Sequence, residues 1–306
     1  MIDFDAYGGQ LAVNFAMTGI VVIGFYITFM SGQLSMAHQM FMGVGAYAAG
    51  YASTALGWGL WQTLPLSVVL AAAAGALTGV LTMRFSGMHL AVATLALAEA
   101  VVVVLNNTPI LGGIEGMAGI PLNTTGELAI LAFLVVVLLT ALLERTSLNL
   151  WFRSTGDDEL AARSVGVRVI TTRIAAFTLG AAVAGLGGSL YAQYYGFVEP
   201  MTFGLTLGIS LLLAMKLGGA GFVGGPILGT AVVVGLPELL RPLGIDQEVA
   251  FGLILILVVI VRPDGIVGKR GELANVWRRL RGTGRTGTRE QPAPRVSGES
   301  LQEVDR

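Results

Sequence analysis

The stretch LWFRSTGDDELAARSVGVRVITTR, from Leu150 to Arg173, is the one strongly charged segment between long apolar runs. Thr155 or Asp157 is predicted to cap a short helix here, because their oxygens can accept hydrogen bonds from free N–H groups at a helix start. Acidic residues in the first turn favour this helix through its dipole, and Gly166 is suited to end it. The pattern predicts a short exposed helix between two membrane spans. An ordinary cytoplasmic loop also explains the composition.

The composition outside this stretch is that of an integral membrane protein. Only 12% of the 306 residues are charged, whereas soluble domains carry about 25%. Apolar runs of about 20 residues, the length that crosses a bilayer as a helix, follow one another. We therefore expect an all-α, polytopic helical bundle with about eight transmembrane segments, some of them re-entrant or broken at glycines. The apolar runs are Leu11–Met30, Leu34–Leu56, Leu64–Met83, Leu90–Leu105, Leu128–Leu143, Ile174–Tyr195, Phe203–Leu217, Phe222–Leu240 and a short last run, Val249–Val261.

Two parts of the chain differ in composition. Residues 1–268 form the predicted transmembrane domain, which includes a cytoplasmic loop at residues 145–173. Residues 269–306 form a basic tail rich in Gly, Thr, Pro and Ser, which cannot bury a core and is predicted to be disordered in the cytoplasm. The basic part of the tail can lie on anionic lipid head groups, although a solvated tail without a partner explains it equally well.

The distribution of basic residues predicts the orientation in the membrane, because cytoplasmic loops carry the excess of Lys and Arg. Of the 18 basic residues, five lie in Arg145–Arg173 and ten in Arg262–Arg306, so both segments should be cytoplasmic. Three predicted spans precede Arg84 and five precede Arg145. These odd numbers place the N-terminus outside, and the polar loop between Asn106 and Gly126, which has no basic residue, also outside.

Several classes of function are disfavoured by the residues that the chain lacks. It has no cysteine, and His38 and His89 are its only histidines, so metal and thiolate chemistry have no ligand set. No G-x-x-x-x-G-K-[ST] loop is present for binding ATP. No nucleophile and base are paired by spacing, and no basic face interleaved with aromatic residues suggests nucleic acid. We expect no enzyme activity and no cofactor in this chain.

Short motifs spread along the chain occur in one order that resembles a known family. The resemblance is to the permeases of branched-chain amino-acid ABC importers, in the subtype that forms the second, M-type subunit of the pair. Each motif is weak alone, and the set is specific because it covers Leu11 to Gly268. The motifs are Gly32-Gln33-Leu34-Ser35, Phe41–Tyr47, Ala93–Ala96 with Glu99, Gly112-Gly113, Gly116-Met117, Asp158–Gly166, Leu217-Gly218-Gly219, Gly225-Pro226 with Gly229, and Arg262–Gly265.

The resemblance gives the charged stretch a function. Glu159-Leu160-Ala161-Ala162, followed by Gly166, is similar to the E-x-A-A-x-x-x-G loop of ABC-importer permeases, whose coupling helix docks on the ATPase subunit. One departure is Gly156, where the family often has a basic residue. The implied ATPase-coupling residues are Asp158, Glu159, Ala161, Ala162, Arg163 and Gly166.

The resemblance also implies the partners and the location. The partners would be a second homologous permease, two cytoplasmic ATPases that bind the ATP, an extracytoplasmic solute-binding protein and the lipid of a prokaryotic plasma (inner) membrane. Transport would proceed by alternating access. The expected solute is leucine, isoleucine or valine, with urea, short amides or other small polar solutes as alternatives. A stand-alone secondary transporter and an intramembrane enzyme are the competing classes. The sequence shows neither the ion sites and internal repeats expected of the first nor the catalytic motif expected of the second.

Polar residues at membrane depth are candidates for the translocation path, because such residues usually face the interior of a bundle or water. Ser35, His38 and Gln39 are spaced to share one helix face. A structural contact with the second permease explains this group as well as a solute does. Glu99 can line the path, or bridge to Thr94 or Ser210 as structural glue. The candidates are Gln33, Ser35, His38, Gln39, Thr94 and Glu99.

Overall fold

The computed structural model describes residues 7–240 and Gly252, and this part of the chain is almost entirely helical. The predicted run Val249–Val261, apart from the helical Gly252, and the predicted tail 269–306 lie outside the described residues. The helices are α1 (Tyr7–Met30), α2 (His38–Ala55), α3 (Leu60–Thr82), α4 (Gly87–Asn106), α5 (Gly126–Leu143), α6 (Ser147–Asp157), α7 (Glu159–Ser164), α8 (Val169–Tyr195), α9 (Leu205–Gly218) and α10 (Gly224–Leu240). Short 3₁₀ turns at Pro109–Leu111, Gly113–Glu115 and Pro200–Phe203 and the strands β1 (Met117–Ala118) and β2 (Phe197–Val198) complete it.

Helix α8 lies at the centre of the bundle and packs against α1, α2 and α3. The helices approach closely because small residues line the contacts. A Cβ atom at Gly45 in α2 would collide with the backbone of Gly185 in α8, and one at Gly185 would lie 2.9 Å from the carbonyl oxygen of Ser67 in α3. Around this core, α5 packs on α1, and α9 and α10 pack on each other and on α1.

Six helical segments of the described chain are long and apolar enough to cross a membrane: Gly8–Met30, Leu60–Thr82, Gly87–Asn106, Gly126–Leu143, Val169–Tyr195 and Pro200–Gly218. Large apolar side chains on α3, α4 and α5 point out of the bundle. Leu77, Val92 and Leu138 are 59%, 62% and 59% exposed. Such faces suit lipid or another membrane subunit rather than water. The predicted all-α polytopic membrane fold is confirmed.

The loops collect at two opposite ends of the bundle. At one end, which we call the strand end, β1 pairs antiparallel with β2, and the N–H of Thr124 donates to the carbonyl oxygen of Gln193. The other end, which we call the α6–α7 end, contains α6 and α7, which come directly before the start of α8 in the chain. The 27 residues of α8 span about 40 Å, at 1.5 Å per residue. This is close to the thickness of a bilayer with its head groups.

The second predicted span begins later than expected. Helix α2 starts at His38 instead of Leu34, and the preceding linker, Ser31–Ala37, is not helical. Groups of two other helices, a backbone carbonyl of α8 and a side chain of α4, replace the missing helical hydrogen bonds. The amide of Gln33 donates to the carbonyl oxygen of Arg173 at 3.1 Å, and the N–H of Met36 donates to the Thr94 hydroxyl at 2.9 Å. Non-helical backbone is tolerated inside a membrane protein where protein covers it.

Candidate functional site

The short helix predicted in the charged stretch is α7, and Asp158 is its cap. The carboxylate of Asp158 accepts hydrogen bonds from the N–H groups of Leu160 and Ala161 at 2.9 and 3.0 Å. The predicted caps, Thr155 and Asp157, were wrong because both belong to a further helix, α6. The backbone leaves helical geometry only at Asp158, with φ −151° and ψ 107°. Gly166 follows α7 with φ +85°, as the prediction of a glycine stop requires.

Helix α6 was missed by the sequence analysis. Its 11 residues bury Asn149, Phe152 and Thr155, three positions apart on one face, and expose Leu150 and Trp151. Two of the three buried residues are polar and both of these exposed residues are apolar, so the buried face does not follow the apolar pattern of an amphipathic helix.

Two ion pairs fix α7 to its own chain. Glu159 pairs with Arg163 one turn along α7, and its second oxygen lies 3.0 Å from the guanidinium group of Arg173 in α8. The Glu159 side chain is 35% exposed, so each pair contributes at most about 1 kcal/mol. Only the pair with Arg173 links α7 to another helix, since Arg163 lies in α7 itself.

The outward face of α7 differs from the expected one. Ala162 is only 2% exposed and packs within its own chain, so it is not available for docking in this conformation. Leu160 and Val165 are 79% and 76% exposed. Together with the exposed Ala161, they form an apolar surface, which we call the α7 face. The sequence analysis assigned coupling to Asp158, Glu159, Ala161, Ala162, Arg163 and Gly166, and it did not name Leu160 or Val165.

The end of α6 rests directly on the end of α1. A Cβ atom at Gly156 would lie 2.7 Å from the backbone nitrogen of Gly32 and 2.9 Å from the carbonyl oxygen of Met30. These distances leave no room for a side chain. The basic residue that the family resemblance led us to expect at this position therefore cannot fit in this structure, and the glycine allows α6 to contact the backbone at the end of α1.

Three of the membrane-depth candidates hold the linker in place. Gln33 donates to the hydroxyl of Ser31 and to the backbone of α8, Ser35 accepts from the N–H of Ala37 at 3.2 Å, and Thr94 accepts from the linker. The prediction that Ser35 shares a helix face with His38 and Gln39 was wrong, because Ser35 precedes the helix. Gln33, Ser35 and Thr94 have structural partners that explain their burial.

His38 also has a structural environment. It is 1% exposed, and its Nε2 atom lies 3.1 Å from the hydroxyl of Thr28. Its ring stacks on Phe25 with a centroid distance of 4.8 Å and meets the edge of Phe41 at 5.5 Å. The imidazole thus joins the start of α2 to α1.

Gln39 and Glu99 bury polar atoms without partners in the described residues, and the Nδ1 atom of His38 does so as well. Gln39 is 1% exposed, and neither atom of its amide has a hydrogen-bond partner within the described residues. The amide lies against Gly208 in α9, where a Cβ atom would collide with it. In α4, one carboxylate oxygen of Glu99 is likewise buried and unpaired in the described part. The proposed bridge to Ser210 is not formed there, since that hydroxyl donates to the carbonyl oxygen of Thr206.

An unpaired buried polar group costs about 1–3 kcal/mol. Among the candidates, Gln39, Glu99 and the Nδ1 atom of His38 therefore call for a partner from outside the described residues, such as a solute or another subunit. Within residues 7–240, no group of three His, Asp or Glu side chains is placed to hold a metal ion.

Comparison with known proteins agrees with this architecture. The family described as "Branched-chain amino acid transport system / permease component" matches residues 9–262. The chain belongs to this permease family. The family resemblance found in the motifs is confirmed.

Three relatives show the range of the permease family. The branched-chain amino acid permease protein LivM of Salmonella typhimurium is 31% identical over 282 residues, covering 81% of this chain and 65% of LivM. LivH of Escherichia coli is 27% identical over 277 residues, covering 86% of this chain and 88% of LivH. The autoinducer 2 permease protein LsrC of Yersinia pseudotuberculosis is 26% identical over 222 residues, covering 71% and 62%. The chain thus spans 65% of the length of LivM, less than two thirds. No solved structure matches it.

Proposed function

We propose that this permease is one membrane subunit of an ABC importer and forms, with a second permease, the translocation path for a branched-chain amino acid or a related small polar solute. The observation that carries the proposal is the α7 face. A short capped helix presents Leu160, Ala161 and Val165 at one end of a membrane bundle. An exposed apolar face rimmed by charges is typical of a docking surface, and an ATPase subunit is the partner that the permease family implies.

The partners follow from the relatives. LivM and LivH are both named as permease proteins of a branched-chain amino acid transport system, and both are similar to this chain. This supports a pair of related permeases in which the present chain is one member. The chain has no P-loop sequence, so the proposal assigns ATP binding to two cytoplasmic partner subunits and no ATPase site to this one. An extracytoplasmic binding protein would deliver the solute.

The translocation path is proposed to run along the side of α2 that carries Gln39. The amide of Gln39 and the carboxylate of Glu99 have unpaired buried atoms, as expected of groups that exchange partners with a passing solute. Gly208 lies opposite Gln39, so a small movement of α9 would expose the amide. The path would open to either side of the membrane as the two permeases rock against each other.

The solute is tested by transport in a defined system. The permease, its paired permease, the ATPases and the binding protein are reconstituted in liposomes, and uptake of radiolabelled leucine, isoleucine and valine is measured with and without ATP. We expect ATP-dependent uptake of at least one of the three. Uptake only of urea, short amides or an unrelated polar solute such as autoinducer 2 would contradict the amino acid as the solute but would agree with an importer function. Solute uptake without ATP would contradict the importer itself.

The orientation is proposed from the positive-inside rule, with the N-terminus and the strand end outside and the α6–α7 end in the cytoplasm. Because the chain has no cysteine, single cysteines can report the side. Leu122 at the strand end and Leu160 in α7 are 70% and 79% exposed, so both are accessible. In intact cells an impermeant maleimide should label Leu122→Cys, and Leu160→Cys only after permeabilisation. The reverse pattern would invert the topology.

A further inference from the structure

Arg153, on the inner face of α6, contacts its own helix and three other parts of the chain. Its Nη2 atom donates to the hydroxyl of Tyr26 in α1 at 2.9 Å and to the carbonyl oxygen of Gly221, between α9 and α10, at 3.0 Å. Its Nε atom donates to Asn149 at 2.9 Å. The carboxylate of Glu144, which follows α5, lies 3.9 Å away. A single side chain therefore bridges α1, α5, α6 and the α9–α10 loop.

Further bonds close this cluster. The hydroxyl of Tyr26 donates to the carboxylate of Glu144, and the amide of Asn149 donates to the backbone carbonyl oxygen of Glu144 at 2.7 Å. The side chain of Glu144 is 7% exposed and that of Arg153 is 29% exposed. Charge-assisted hydrogen bonds in such a sheltered place are stronger than those on the surface, so the cluster is expected to move as a unit.

We propose that Arg153 is a positioning residue that transmits movement of α7 to the membrane helices, and in particular to the α9–α10 loop. Only Asp158 separates α6 from α7, so α6 follows any movement of its neighbour. At the other end of α9, Gly208 touches the unpaired amide of Gln39. One route from the α7 face to the proposed path thus runs through this guanidinium group, beside the ion pair of Glu159 with Arg173. The inference deepens the proposed importer function and rests on it.

Arginine suits this role better than lysine. Its planar group holds five N–H donors in fixed directions and can bond to several acceptors at once. The ammonium group of lysine keeps the charge but is too compact to reach Tyr26, Gly221 and Asn149 together. A charge-conserving variant therefore separates the geometry of the link from its charge.

The first experiment compares Arg153→Gln and Arg153→Lys with Arg84→Gln, which removes an exposed arginine from the loop between α3 and α4. ATP hydrolysis and uptake are measured per assembled complex in lipid, with and without loaded binding protein. We expect Arg153→Gln to reduce the stimulated-to-basal hydrolysis ratio to about one and uptake at least tenfold. The hydrolysis ratio and uptake of Arg153→Lys should lie between those of Arg153→Gln and the unmodified complex. Those of Arg84→Gln should match the unmodified complex. Normal stimulation and uptake per complex in Arg153→Gln, with or without a lower yield, would overturn the inference.

The second experiment follows movement directly. Spin-label pairs are placed at Leu122→Cys with Leu160→Cys, and at Leu122→Cys with Ala220→Cys in the α9–α10 loop, and their distances are measured with and without ATP. In the unmodified chain both distances should change. In Arg153→Gln the Leu160 distance should still change while the Ala220 distance stays fixed. An Ala220 change that persists in Arg153→Gln would refute the role of Arg153. If the Leu160 distance never changes, the proposed coupling through α7 fails instead.

Discussion

Two groups of polar side chains contrast in how their hydrogen bonds are satisfied. At the α6–α7 end, Asp158, Glu159 and Arg153 all bond to named groups of their own chain. In the membrane part, Gln39 and Glu99 bury polar atoms that the described residues leave without partners. Because an unpaired buried polar atom is costly, the first group is explained by the fold and the second is not.

This contrast separates side chains that can transmit movement between helices from side chains that can bind a passing solute. A paired network resists rearrangement and can carry movement from one helix to the next. Unpaired groups are free to bond to a solute and to release it. The linker before α2 belongs to the first kind, since Gln33 and Thr94 bond to its neighbours and backbone. Three variants below are chosen to break this contrast, in decreasing order of expected effect.

The largest effect is expected at Gly156, where α6 meets the backbone of α1. Gly156→Ala places a Cβ atom 2.7 Å from the nitrogen of Gly32, and overpacking of this kind costs about 1–3 kcal/mol. We expect a clear loss of assembled complex and of its thermal stability in detergent. The matched control is Gly235→Ala in α10, where no atom of another described element lies within 4 Å of the added methyl group. Equal stability of the two variants would contradict the close contact.

A smaller effect, confined to transport, is expected at Gln39. Gln39→Leu removes an unpaired amide at nearly constant volume, so the complex should be as stable as before or more stable. If the amide serves the path, uptake should fall about tenfold at a low solute concentration. Thermal melting and uptake are measured on the same preparation. Unchanged uptake with unchanged stability would remove Gln39 from the path and leave His38 and Glu99 as the candidates with unpaired buried atoms.

The smallest effect is expected from the exposed ion pairs of α7. Glu159→Gln removes the pairs with Arg163 and Arg173, which at these exposures contribute at most about 1 kcal/mol each. Uptake should stay within about twofold of the unmodified complex, and the residual difference should shrink as salt is added, because salt screens surface charges. A complete loss of uptake would show that a partner subunit binds the Glu159 carboxylate itself.

Local pattern in the sequence was enough for the membrane fold and for α7. Long apolar runs indicate membrane spans. Asp158, Ala161 and Gly166 indicate a short helix within a few positions of the observed bounds of α7. The linker was harder to predict, because Leu34 and Met36 continue the apolar run although the helix starts only at His38. Hydropathy does not distinguish a helix from an extended segment that other helices cover.

The link through Arg153 was beyond reach of the sequence for a different reason. Its partner Tyr26 is 127 residues away in the chain, and a contact over such a distance has no periodic signature. The same holds for the lack of partners at Gln39, which is a property of the packed bundle. The buried position of Ala162 was missed because the family resemblance describes docking and not the packing of α7 on its own chain.

The most direct test of the coupling assignment is a charge placed on the α7 face. Leu160→Asp adds a carboxylate where the side chain is 79% exposed, so the fold should tolerate it, whereas an apolar interface would not. The measurement is ATP hydrolysis by the purified complex in lipid, with and without loaded binding protein, beside the control Leu122→Asp at the strand end. We predict that Leu160→Asp abolishes stimulation by the binding protein. Normal stimulation in Leu160→Asp would show that α7 does not dock on the ATPase, and the charged stretch would be an ordinary loop.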